Sequence, residues 1–122
     1  NEEQKKLYLM AMEQIDYNSK LIKNGMAFEE FVEKCWVLPQ EYYPNRYSVM
    51  VHGIGLCDEW PAIRYPDDGG ERTGVFKKNM TITVESYIGK VKGKEGVKLE
   101  QQYLVGENGL ELMSHHPLED IK

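Results

Sequence analysis

Hydrophobic positions along the chain change period about two thirds of the way through. From Glu2 to Asn24, apolar side chains return every three or four residues: Leu7, Met10 and Ala11, then Leu21 and Ile22. Gln14 and Asn18 lie on the same stripe, with Lys and Glu between. This spacing predicts a helix over residues 2–24. Leu9, Met12 and Ile15 widen the stripe, so the helix is expected to lie across a sheet, and Asn24-Gly25 offers a left-handed stop. A second helix is expected from Ala27 to Val37, with Phe28, Phe31, Val32, Cys35 and Trp36 on its buried face and Pro39 beyond its end. Gln40 to Arg46 reads as a loop.

The apolar run Val49 to Val51, bounded by Arg46 and Gly53, predicts a short buried strand. Gly53 and Gly55 then permit a sharp turn or a close backbone approach. Pro61 to Thr73, with Pro66, Asp67-Asp68 and Gly69-Gly70, reads as a surface loop. From Met80 the period becomes two. In Met80–Tyr87, Ile82 and Val84 share one face, and Thr81, Thr83 and Glu85 share the other. A Gly/Lys-rich turn over 89–96 leads to a strand over Val97–Val105. Asn108-Gly109 signals a hairpin, Leu110 to Met113 a short return strand, and residues 114–122 an exposed tail. The expected fold is α+β, with helices on one face of a curved, mainly antiparallel sheet.

The chain has 122 residues, 41% of them hydrophobic, and a net charge of −5. That suits one domain with a real core. The acidic balance argues against nucleic acid or an anionic membrane as partner. No apolar run is long enough to span a membrane, and the amino end, Asn1-Glu-Glu-Gln-Lys-Lys6, does not resemble a signal peptide. Cys35 and Cys57 read as free thiols in a reducing compartment, which points to the cytoplasm.

The densest chemistry lies in Tyr47–Pro61. His52 ends the predicted strand beside two glycines, and Asp58, Glu59 and Trp60 follow. A histidine so placed is either a satisfied polar residue or a metal ligand. Glu85 and Glu100 bear on the choice. If their strands pair about the 89–96 turn, the two glutamates face each other, and like charges across a ladder are destabilising. Either a shared divalent cation turns that repulsion into coordination, or the carboxylates are solvated and one pairs with Lys98 or Arg72. One histidine with two glutamates is a nitrogen and oxygen donor set suited to Mn, Fe, Co or Zn. Asp67-Asp68 lacks the further oxygen ligands of a calcium loop. His115-His116 has no acidic or cysteine partner close by and reads as surface.

Several motifs, taken in order, resemble the carboxyl half of the pita-bread metalloenzymes, the superfamily of methionine aminopeptidase, prolidase, aminopeptidase P and creatinase. They are His52-Gly-Ile-Gly-Leu56, Asp58-Glu59-Trp60-Pro61, Thr81-Ile-Thr-Val-Glu85, Gly96-Val-Lys-Leu-Glu100, and Val105-x-x-x-Gly-x-Glu-Leu112. The resemblance implies that His52, Glu85 and Glu100 are metal ligands, with Glu100 bridging two ions in the full-length enzyme, and that such enzymes are commonly homodimers acting on small-molecule substrates. Family peptidases carry His-Glu-x-Pro where this chain has Asp58-Glu59-Trp60-Pro61, and Glu-Pro-Gly where it has Glu85-Ser86-Tyr87. The stretch His52 to Pro61 looks most like the dimethylsulfoniopropionate lyase branch. That likeness implies Asp58 as the general base and Tyr47 as part of the substrate pocket. A peptidase or amidinohydrolase of the same fold, and a non-catalytic pita-bread binding module, are the alternatives. The family's two aspartate ligands precede the histidine on earlier strands. No Asp-x-Gly signal precedes Tyr47, and Asp16 falls within a helix. Residues 1–122 are therefore expected to be the carboxyl part of a catalytic domain, and inactive alone.

Overall fold

In the computed structural model, residues 1–56 and 58–118 are described; Cys57 lies outside them, as does the end of the predicted tail. Two helices, α1 (Glu2–Leu21) and α2 (Phe28–Lys34), precede five strands: β1 (Val49–Gly53), β2 (Ala62–Arg64), β3 (Thr81–Gly89), β4 (Gly96–Val105) and β5 (Leu110–Leu112). The strands form one sheet in the order β2-β1-β3-β4-β5, antiparallel at every step. This is the expected α+β arrangement.

A capping box opens α1. The Asn1 side chain accepts from the Gln4 amide at 2.8 Å, and the Gln4 side chain accepts from the Asn1 amino group at 2.8 Å. The helix stops at Leu21, short of Asn24, because Ile22 turns extended and is fully buried. Gly25, at φ 89°, instead serves the following turn, where its amide donates to the Phe76 carbonyl. Ile15 widens the buried stripe as expected, whereas Leu9 is half exposed. α2 stops at Lys34, short of Val37, for a specific reason: the Trp36 amide donates to the Asn18 side chain of α1 at 2.8 Å, drawing the chain out of the helix.

Alternation along β3 divides its side chains between two faces. Ile82, Val84, Ser86 and Ile88 are buried, and they belong to the face that meets the helices. A polar clasp joins that face to α1: Ser86 Oγ donates to Gln14 Oε1 at 2.5 Å, and Gln14 Nε2 donates to the Tyr65 hydroxyl at 2.5 Å. All three residues are buried. Thr83, Glu85 and Tyr87 occupy the other face. The hairpin closes where Gly89 pairs with Gly96. The Tyr87 ring lies over both, and a Cβ would come within 2.9 Å of its oxygen at Gly89 and 2.7 Å at Gly96.

One strand departs from expectation. Within the predicted 61–73 loop, Ala62–Arg64 pairs with β1 as β2, with Ile63 opposite Val51. A strand of three residues is too short to show alternation in sequence.

Candidate metal centre

β1, β3 and β4 lie side by side, and their register builds the site. His52 pairs with Thr83, and two residues further along β3, on the same face, Glu85 pairs directly with Glu100. His52 Nε2 lies 3.3 Å from Glu85 Oε2 and 3.4 Å from Glu100 Oε1. The three side chains offer donor atoms all within 4.8 Å of one another. The other imidazole nitrogen, Nδ1, is 2.9 Å from the Gly53 carbonyl. A carbonyl only accepts, so Nδ1 bears hydrogen, and Nε2 is the nitrogen turned toward the carboxylates.

Burial makes this arrangement demanding. Glu85 is 2% exposed, and its Oε1 has no hydrogen-bond partner. That burial pushes its carboxyl above the usual range; Lys98 pulls it back down, and the facing Glu100 pushes it up. Two carboxylates and the imidazole Nε2 converge where a divalent ion could be held by all three. The orphaned buried oxygen and the mixed donor set fit a borderline divalent metal ion.

Among the described residues, Lys98 brings a cation to the pair, with Nζ 3.9 Å from Glu85 Oε2 and 3.8 Å from Glu100 Oε2. Arg72 instead donates to the carbonyls of Glu71 and Tyr65. Tyr47 is half exposed, and Lys98 Nζ lies over its ring, 4.7 Å from the centroid. Asp58 is exposed and stands outside the three-donor group; its Oδ1 accepts from the Trp60 amide at 3.0 Å. The loop that carries it is fastened to the end of β1, where the Gly53 amide is shared between the carbonyls of Glu59 and Pro61.

Asp67 and Asp68 serve a separate clasp. Arg46 holds both Asp68 oxygens at 2.7 Å and stacks on Tyr43, whose hydroxyl donates to Asp67. His115 and His116 are exposed. The sequence reading offered Lys98 only as a salt-bridge partner. Its position two residues before Glu100, and so on the same strand face, was the available sign of a place in the site.

A helix-backed antiparallel sheet with a His/Glu/Glu cluster on its other face agrees with the pita-bread fold that the motifs resemble. Residues 1–107 match the profile of Metallopeptidase family M24, and the chain belongs to that family. It is 34% identical over 111 residues to a protein named dimethylsulfoniopropionate lyase DddP from Roseovarius nubinhibens, an overlap of 89% of this chain and 25% of that protein. Among solved structures, Xaa-Pro dipeptidase from Bacillus anthracis superposes with a TM-score of 0.76 at 25% identity, covering 98% of this chain and 33% of that one. Prolidase from Pyrococcus furiosus superposes with a TM-score of 0.70 at 28% identity, covering 92% and 32%. The chain thus spans about a quarter of the length of that curated relative. No described helix is long and apolar enough to cross a membrane.

Proposed function

We propose that this chain is the carboxyl part of a metal-dependent lyase that splits dimethylsulfoniopropionate into dimethyl sulfide and acrylate, with His52, Glu85 and Glu100 holding a divalent ion of Mn, Fe, Co or Zn. The observation that carries the metal reading is the convergence of the three donors around a buried carboxylate whose second oxygen has no partner. A bound ion would supply Lewis acidity toward a substrate carboxylate, which acidifies the adjacent C–H. His52 is oriented for its part by the Gly53 carbonyl, which fixes the tautomer. Asp58 takes the proton next to the carboxylate; the electron pair left on carbon forms the C=C bond, and the C–S electrons leave with sulfur as neutral dimethyl sulfide. The Tyr47 ring receives the sulfonium group on its face, a place the Lys98 ammonium holds until it yields to the incoming cation. Likeness to the lyase over 89% of the chain favours this substrate. Exposed Tyr47, Ile54, Leu56 and Trp60 support contact with further protein, from the same polypeptide or from a homodimer partner in the cytoplasm.

Likeness to Xaa-Pro dipeptidase supports a second reading, a peptidase. Offering the full-length protein both dimethylsulfoniopropionate and Xaa-Pro dipeptides separates the two. The lyase reading expects dimethyl sulfide and no free proline; the converse sinks it. Asp58→Asn is expected to lower lyase turnover about a hundredfold or more while metal content stays unchanged. Turnover that survives the substitution removes Asp58 as the base.

A further inference from the structure

Lys98 touches three parts of the site together. It projects from β4 two residues before Glu100, on the same strand face, and its ammonium stands within 4 Å of both carboxylates while covering the Tyr47 ring. Its side chain is 46% exposed, so the ammonium has room to move toward solvent on its flexible stem. This tethered positive charge already offsets part of the repulsion between Glu85 and Glu100. A divalent ion attracted by those oxygens meets a like charge tethered beside them.

We propose that Lys98 limits the affinity of the His52–Glu85–Glu100 centre for divalent cations, acting as a tethered competitor for the two glutamates. The proposal rests on the metal reading above. It differs from a merely supporting role in sign: a lysine that only braced the strand would, on removal, loosen the centre and weaken ion binding. A tethered competitor, on removal, tightens it.

The test is calorimetric titration of the full-length protein with Mn(II), paired with the visible absorption of Co(II), at low and high salt. Lys98→Met keeps the length and apolar stem but removes the charge. It is expected to bind Mn(II) about tenfold more tightly at low salt, with the advantage shrinking at high salt as screening grows. Lys98→Arg is expected to restore the original affinity. Equal or weaker Mn(II) binding by Lys98→Met overturns the proposal. His52→Ala distinguishes the two levels of failure. If it loses Mn(II) while Lys98→Met matches the original protein, only the competitor role falls. If His52→Ala binds as well as the original protein, the metal centre itself falls, and the role of Lys98 with it.

Discussion

Gly53→Ala is the sharpest test of how the site is held. At Gly53 the obstacle is space. An added Cβ would lie 1.8 Å from the Trp60 carbonyl oxygen and 2.6 Å from its carbon, and both are backbone atoms that cannot rotate aside. The 58–61 segment would have to retreat, breaking the bonds from the Gly53 amide to the Glu59 and Pro61 carbonyls at 3.1 and 2.8 Å. Overpacking of this kind costs about 1–3 kcal/mol, and losing a backbone hydrogen bond adds about 1 kcal/mol. The expected loss is therefore about 2–4 kcal/mol, a large part of a typical domain's stability. The Gly53 carbonyl also orients His52, so metal affinity should fall with stability. Urea unfolding of the full-length protein, compared with Gly55→Ala, measures the effect. A Cβ at Gly55 lies 2.7 Å from the Asp58 carbonyl oxygen, a milder clash, so Gly55→Ala should cost less. A Gly53→Ala loss below about 1 kcal/mol, or the reverse order of the two variants, would refute the reasoning.

Two further outcomes follow from the buried clasp between α1 and the sheet. Gln14→Leu strips the Tyr65 and Ser86 hydroxyls of their shared partner and is expected to cost about 2–4 kcal/mol in urea unfolding, with Ser86→Ala less damaging in that background than alone. Burial pushes the Tyr65 phenol from 10.0 up to about 12, while the Gln14 bond pulls it down. The folded state therefore keeps this proton where the unfolded state has lost it; the stabilisation is complete below pH 10 and drains away as pH rises toward 12. Thermal unfolding of Tyr65→Phe across that range should show a shallower decline than the original protein, and an unchanged slope would count against the argument.

The sequence made the β3–β4 hairpin legible because its turn chemistry and period-two pattern agree, and that agreement placed Glu85 opposite Glu100 before any coordinates. The stripe of α1 was also readable, including Gln14 and Asn18, two polar residues at buried positions. The end of α2 falls short of the pattern because a distant side chain, Asn18, captures the Trp36 amide, and that of α1 because Ile22 is drawn into the core; no local propensity reveals either. β2 escaped notice because its pairing with β1, not its three-residue pattern, makes it a strand. The convergence of His52 with the glutamates depended on β1 settling beside β3 rather than at an edge, a choice of strand order written in no single motif. The place of Lys98 was obscured because an isolated lysine in a Lys-rich hairpin looks like ordinary surface.

Every second residue of β3, from Ile82 to Ile88, is buried on the face toward the helices, and Glu85 lies on the opposite face with the donor cluster. A single codon gained or lost between Thr81 and Val84 would exchange these faces, sending Val84 toward the donor cluster and Glu85 into the hydrophobic layer. Descendants of this gene are thus free to vary the length of the exposed turn between Gly89 and Gly96, but the ribbon before it tolerates replacement only, never a change in count.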